Sequence, residues 1–484
     1  MKKYIILLVL ILFSPILFSI FSRDASVYAY MGTLFFDGKT PYIDGWDHKG
    51  ISLYLINAFG YLIGFKNYIG IRVLEIFLIS ISFLSIFKNL SITYSKKNAF
   101  IAVVFGLLSL RYFFDGGNMT EEYGAIFTLI SLSLLIKEKI KTIDYAIIGA
   151  LFIINFTIRA NLISFWIALF FAIIALAFLQ KEVLKKAIIP FSKMAIGIVV
   201  SIVLLSVYFL ITNSFSEFYN AAFTYNFSYS KQSVGSVLKS IITSTRRYEV
   251  SLLLILGLLI SVVSFFKKKN TLISLLLLFW IPIELYFSNM SGKLFAHYYM
   301  MWIPIIVLAT AFILDYFKTE SLKNEKQFVV IGIMVFLFFQ IPIFNTLGSY
   351  QKLIASKKSK NELIANHIHK KYLDKTLLVW GNECAIYNMT KKIAPVTNFY
   401  QTLFKLDSRL TKRMIDDFTL QVQKKSPYLI IDVKTPSLLF LDNSNAAIIE
   451  DSQEENLKKY IDFIQTNYVL KETIKGADFY IRKE

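Results

Sequence analysis

Apolar runs of membrane-crossing length recur along the chain, near residues 4–22, 68–90, 98–112, 121–136, 142–159, 161–179, 187–212, 249–266, 271–288, 296–316 and 327–345. A bilayer core takes about 20 apolar residues per helix and leaves no water to satisfy backbone N–H and C=O groups. A chain with about eleven such runs is therefore expected to be an α-helical polytopic membrane protein. Composition agrees: 56% of the 484 residues are hydrophobic and 18% charged, with mean hydropathy +0.56, against about 25% charged in soluble domains. A disordered chain and a water-solvated globule are both excluded. The formal charge of +19 comes mainly from lysines between apolar runs, which fits cytoplasmic flanks and anionic headgroups rather than nucleic acid. Cys384 is the single cysteine, so no internal disulfide framework exists.

The lysines also give an orientation. Lys88/Lys96/Lys97, Lys137/Lys139/Lys141, Lys181/Lys185/Lys186, Lys267/Lys268/Lys269 and Lys318/Lys323/Lys326 occupy every second loop, and the positive-inside rule makes those loops cytoplasmic. The first run, behind Lys2 and Lys3, exceeds a signal-peptide core and lacks a small-x-small cleavage site, so it reads as an uncleaved helix with its N-terminus inside. The loops 24–49, 111–122, 213–248 and 288–297 are then extracytoplasmic. An odd number of crossings puts the tail there too. Residues 1–348 form the expected membrane module and 349–484 a small outer α/β domain, with strand candidates Thr376–Trp380, Tyr428–Val433 and Phe479–Arg482. The expected location is a bacterial cytoplasmic membrane, the Lys, Ile, Asn and Phe bias matching an AT-rich genome.

Most ionisable residues of chemical interest fall in the outer loops. Asp24 follows the first run beside Arg23, and the stretches 25–36 and 51–65 are too short to span, so both are expected to lie in the interface. They bracket a turn-rich loop with Asp44, Asp47, His48 and Lys49. A carboxylate and a cation at a lipid–water boundary suit a reaction between a water-side nucleophile and a lipid-borne phosphate. Asp24 equally fits a snorkelling interface pair with Arg23. The second outer loop runs from Arg111 to Glu122, and Thr120 before Glu121 and Glu122 also reads as a helix cap with dipole-matched charge. Arg72 and Glu75 sit at helical spacing for an internal ion pair, Arg159 ends one run and Glu284 lies near the end of another. Lys293 and His297, four residues apart, are placed to present two donors to one phosphate, although a histidine among Tyr298, Tyr299 and Trp302 also fits an aromatic belt.

These landmarks resemble a known family. Asp24 with Tyr28 and Gly32, then Gly38-x-x-Pro41-Tyr42 and Trp46-Asp47-His48-Lys49-Gly50, is similar to the first outer loop of GT-C glycosyltransferases of the protein-mannosyltransferase and aminoarabinose-transferase type. The Thr120-Glu121 helix start and the run Gly292-x-x-x-Ala296-His297-Tyr298-Tyr299 before Pro304 resemble later landmarks, and the tail from Leu377 to Gly381 resembles the outer domain of bacterial members. The resemblance implies an inverting transferase that moves a sugar from a polyprenyl-phosphate carrier to an acceptor outside the cytoplasm. By position, Asp24 would be the base on the acceptor hydroxyl and Lys49 would hold the donor phosphate. Glu121 or Glu122 would orient the acceptor or a metal, and His297, with Lys293, would face the carrier phosphate. Asp47, His48 and Arg159 complete the expected site, and Asp47, His48 and Glu121 are the candidate ligands should a divalent metal ion be used. The chain departs from the pattern at Ala25, where protein mannosyltransferases have a second acid, and at Asp47-His48-Lys49-Gly50, where the aminoarabinose type has an acid, Lys and Pro. Sugar and acceptor therefore stay open.

Two other classes fit the same topology. A transporter or flippase of a lipid-linked substrate would need polar residues at mid-depth, which are scarce. A glycan polymerase or ligase would lean on Arg246 and Arg247 in the 213–248 loop. In the tail, Cys384, His367, His369 and Glu383 form no metal or nucleophile pattern, so the tail is read as acceptor recognition.

Overall fold

The computed structural model describes all residues except 180–183, 230–232, 320–339, 356–357, 407 and 446–450. Ten of the eleven apolar runs coincide with helices. Ile69–Thr93, Ile188–Thr212, Thr271–Asn289 and Ala296–Phe317 are long and apolar enough to cross a membrane on their own. Other runs fall in shorter helices, among them Lys96–Phe113, Thr120–Leu135, Thr142–Ile158, Ser164–Leu179 and Ser251–Phe266. The run near 327–345 lies outside the described residues up to 339, as do Lys181, Lys323 and Lys326; residues 340–354 are helical. The chain opens with the helix Lys2–Phe13, which tightens at Pro15 into a 3₁₀ turn, Ser14–Phe18.

The residues group into two compact units. The first, Met1–Ser19, Arg72–Ile211 and Ser230–Ala355, is helical and holds most of the apolar runs. Its helix Leu184–Thr212 exposes Val199, Leu204, Leu210 and Ile211, a distribution that is costly in water and natural against acyl chains. Inside the unit, polar side chains satisfy one another across helices. Asn89 donates to Ser133 O at 2.8 Å, and Asn155 donates to Gly124 O at 3.1 Å and Thr128 Oγ1 at 3.2 Å. Helix Thr142–Ile158 meets Leu184–Thr212 through glycines. A Cβ on Gly197 would lie 1.8 Å from Ala146 O, and one on Gly149 would lie 2.0 Å from Met194 O. Two backbones approach this closely only without side chains between them.

The second unit comprises Ile20–Ile71, Thr212–Tyr229 and Ser356–Glu484. Here the loop after the first run packs with the tail. The tail carries four strands, β1 (Leu377–Trp380), β2 (Leu429–Asp432), β3 (Tyr468–Ile474) and β4 (Ala477–Arg482), in the order β1-β2-β4-β3. β1 and β2 are parallel, paired Leu377 to Leu429 through Trp380 to Asp432, and helix Arg409–Lys425 makes the crossover. β4 runs antiparallel to both its neighbours. The β3–β4 hairpin turns at Lys475 and Gly476, both with positive φ, as a two-residue turn requires. β1 and β2 are buried along their whole length, and Trp380, Phe418 and Tyr460 stack at 4.7–5.8 Å to form the core. Ser359 and Glu362 form a reciprocal cap that starts helix Lys360–Lys371. The interface segments expected at 25–36 and 51–65 are helical, Arg23–Thr33 and Ile51–Ile63. The second exposes Leu55, Phe59, Leu62 and Ile63 along one stripe.

The glycine contact gives a direct test. Gly197→Leu is expected to force the two helices apart at a cost of about 1–3 kcal/mol or more, measured as a lowered midpoint of thermal unfolding in detergent. An unchanged midpoint would mean that these backbones do not touch.

Candidate active site

The candidate residues divide between the two units, and each group has its own logic.

In the second unit, helix Arg23–Thr33 buries Ala25 to Thr33 while Arg23 and Asp24 stay exposed at its first turn. Asp24 sits where unpaired N–H groups favour negative charge. Its neighbour Arg23 donates to Glu383 at 3.0 Å, so the snorkelling partner expected for Asp24 is taken by the tail. The loop beyond this helix is shaped by a left-handed Tyr42, φ 73°, whose N–H donates to Gly45 O at 2.7 Å. Asp44 accepts from Thr40 N at 2.8 Å and is a turn residue. Asp47 is buried, 1% exposed. Its Oδ2 accepts from the Tyr54 hydroxyl at 2.7 Å, its Oδ1 accepts from the Tyr400 hydroxyl, and His48 Nδ1 lies 3.3 Å from Oδ1. Lys49 Nζ donates to His48 Nε2. Burial alone would push the Asp47 carboxyl up; the neighbouring His48 imidazole, the Lys49 ammonium and the Tyr400 hydroxyl together hold it well below the usual range. Asp24 is near enough to act electrostatically on Tyr400.

In the first unit, helix Thr120–Leu135 begins with Glu121 and Glu122, and their carboxylates diverge. Glu121 pairs with Arg159 and accepts from Thr120 Oγ1 at 2.6 Å. Glu122 is fully buried beside Glu75, which pairs with Arg72 at 3.1 Å. Gly117, at φ 79°, lets the preceding loop close over this pair, since a Cβ there would lie 2.0 Å from Glu75 Oε1. Thr120 is not the helix cap: Met119 occupies that position without a side-chain bond, and the Thr120 hydroxyl serves Glu121 instead. Arg159 lies over the Tyr298 ring at 4.8 Å, and His297 Nδ1 is 3.4 Å from Asp115 Oδ2. Lys293 is within electrostatic reach of Tyr298 and Arg159. The helical i, i+4 pairing expected of Lys293 and His297 does not form. Gly292, with φ 67°, breaks the chain there, Lys293 lies in the following loop, and His297 belongs to a 3₁₀ turn, Ala296–Trp302. Glu284 is bound by the Ser164 and Ser288 hydroxyls, and Trp280 Nε1 donates to Ser164 at 3.0 Å; this hydroxyl cage takes the place of the ion pair expected there.

Among the described residues no group of three or more His, Cys, Asp or Glu side chains is arranged to hold a metal ion. The oxygens of Asp47 are taken by tyrosine hydroxyls and Glu121 is bound to Arg159, so the candidate ligands do not fit a metal and no chemical step is derived through one.

Tyr54, Tyr400 and Asn226, around Asp47 and His48, had no sequence signal, and Tyr298 stood in a run already singled out with nothing to pair it with Arg159. Asp115 stands in the loop already singled out, but nothing there paired it with His297. The tail histidine His367 and Glu472 form a surface bond at 2.9 Å.

No family model matches the sequence, and no curated protein matches it either. Solved structures do. ArnT from Cupriavidus metallidurans bound to undecaprenyl phosphate aligns over 99% of this chain and 97% of its own, with 11% identity and a TM-score of 0.59. The fold is GT-C. The apo state of the same ArnT aligns equally well. The oligosaccharyltransferase of Archaeoglobus fulgidus, in complex with Zn and sulfate, aligns over 89% of this chain and 67% of its own, at 10% identity and a TM-score of 0.50. The expected helical membrane fold with a small C-terminal sheet is thus present.

The depressed Asp47 carboxyl makes a linkage prediction. A carboxyl whose folded value is lowered adds stability that is present above its ordinary value, about 3.9, and is lost as pH falls through the folded value. At neutral pH Asp47→Asn is expected to cost about 2–3 kcal/mol. The gap between wild type and variant should shrink below about pH 4, as read from unfolding midpoints across an acid series. A gap that does not change with pH would show that Asp47 is not held as a carboxylate.

Proposed function

We propose that the chain is an inverting membrane glycosyltransferase that moves a sugar from a polyprenyl-phosphate donor to an acceptor outside the cytoplasm of a bacterium. The observation that carries this reading is the GT-C likeness over 99% of the chain to a transferase solved with a polyprenyl phosphate. The sidedness of the lysines supports an inside N-terminus and an outside tail, residues 349–484.

Asp24 is the candidate base. It is exposed at a helix start, where its carboxylate can take the proton of an acceptor hydroxyl as that oxygen attacks the anomeric carbon. The bond between that carbon and the phosphate oxygen breaks on the opposite face, and the pair of electrons leaves with the polyprenyl phosphate. Lys49 is the cation that offsets the charge growing on that phosphate. Attack and departure on opposite faces invert the anomeric centre. Glu121, Arg159, Lys293 and His297, with Tyr298, gather both signs of charge in the first unit, which suits hydroxyl and phosphate groups of substrates; Glu122 is assigned with Arg72 and Glu75 to helix packing. The sugar and the acceptor are left open by these contacts.

Membranes containing the wild-type chain are expected to move radiolabel from at least one of a panel of polyprenyl-phosphate sugars to an acceptor. Asp24→Asn should lower the rate about 10²- to 10⁴-fold with insertion unchanged. Full activity in that variant would remove Asp24 as the base. Absence of transfer from every donor, with carrier lipid moving across vesicles, would favour a flippase.

A further inference from the structure

Residues 46–49 are clasped by segments distant in sequence. Trp46 N donates to Thr397 O at 2.9 Å. His48 O accepts from Asn226 Nδ2 at 2.7 Å, and Lys49 O accepts from the Tyr42 hydroxyl at 2.8 Å. The Tyr225 ring packs against Trp46 at 5.4 Å and His48 at 5.3 Å, and its hydroxyl donates to Leu403 O at 3.1 Å. Tyr225 reaches this loop from the end of a π-helical turn, Asn220–Tyr225, and Asn226 from the residue that follows it, a geometry that displaces side chains from α-helical register and is common at functional sites. The backbone is therefore pinned at Trp46, His48 and Lys49, and one side chain of the loop, Asp47, is buried as a charge.

A buried carboxylate is expensive, and truncating either partner of such a contact leaves it unsatisfied. The contacts made here run in one line: the Tyr400 hydroxyl donates to Asp47 Oδ1, Oδ1 lies 3.3 Å from His48 Nδ1 as an ion-pair contact outside hydrogen-bond geometry, and His48 Nε2 accepts from Lys49 Nζ. A carboxylate on one ring nitrogen sets the orientation of the imidazole and leaves the other nitrogen to its partner. The partner is the ammonium of Lys49. With its oxygens occupied by Tyr54 and Tyr400, Asp47 is placed to orient and not to meet substrate.

The geometry points to Asp47 and Tyr400 as positioning residues for Lys49: the tail supplies, through one hydroxyl, the anchor that aims the cation of the first loop at the phosphate of a polyprenyl phosphate, a diester in the sugar donor and a monoester once the sugar has left. This rests on the transferase reading, in which Lys49 receives the donor phosphate. It assigns the tail a part in donor binding, beyond recognition of the acceptor.

The test is a double-mutant cycle on the full-length protein in detergent, with binding of a radiolabelled polyprenyl monophosphate as readout. Tyr400→Phe keeps the ring and removes the hydroxyl. It is expected to weaken binding about 10- to 100-fold, the worth of one hydrogen bond to a charged group. Lys49→Met should weaken it similarly, and the double variant should bind no worse than Lys49→Met, because both changes remove one interaction. In the transfer assay Tyr400→Phe should raise KM for the donor and leave KM for the acceptor unchanged. Asp47→Asn, isosteric, is the second variant if Tyr400→Phe does not fold, and carries the same expectation. Wild-type affinity in a folded Tyr400→Phe, or effects of Tyr400→Phe and Lys49→Met that multiply, would overturn the positioning role while leaving the transferase reading intact. A wild-type protein that binds no polyprenyl phosphate would overturn both.

Discussion

Hydrocarbon offers no hydrogen bonds, so whatever this chain places in lipid must satisfy its backbone within itself and keep its charges elsewhere. That constraint orders the first unit. Its helices turn Val199, Leu204 and Leu210 outward, pair Asn89 with Ser133 and Asn155 with Thr128 inside, and close two backbones on Gly149 and Gly197. Van der Waals contact at such small residues does for helices in lipid what the hydrophobic effect does in water.

Charge is the second cost, and the chain meets it in the same way on both units. Arg72 with Glu75, Glu121 with the half-buried Arg159 and Asp47 with its two tyrosines are buried groups whose partners come with them. A pair of this kind adds little net stability compared with apolar packing, yet breaking it is costly. What it secures is arrangement. In the second unit the arrangement reaches furthest along the chain, tying residue 47 to residue 400.

Much of the fold was legible because hydropathy and lysine placement respond to the bilayer, a strong and uniform field. The helix positions followed from it, while the strands β1, β2 and β4 followed from short apolar runs in the otherwise polar tail. β3 was missed because Tyr468–Ile474 is an edge strand with polar residues such as Lys471 and Glu472 and little burial, so no apolar run marks it. Candidate site residues stood out in the sequence only where a carboxylate or cation fell among apolar neighbours, as with Asp47, Lys49 and Glu121. Their partners did not. Tyr400 is one of 28 tyrosines, and nothing in its neighbourhood records that its hydroxyl meets a carboxylate 353 positions away. The Lys293 and His297 pairing failed for a local reason: Gly292 takes a positive φ and ends the helical spacing on which the inference depended.

The span between Asp47 and Tyr400 bears on how the protein is made. Asp47 is synthesised within the first tenth of the chain and Tyr400 within the last fifth, so the apolar runs that lie between them are made before the loop can close. Contacts of such separation form late and slowly. Through most of synthesis residues 46–49 have no tail to hold them, and a truncated chain lacks the hydroxyl that completes the clasp. Biogenesis thus carries its own proofreading: the loop reaches its final form only on a chain whose C-terminal part has been translated and delivered to the same side.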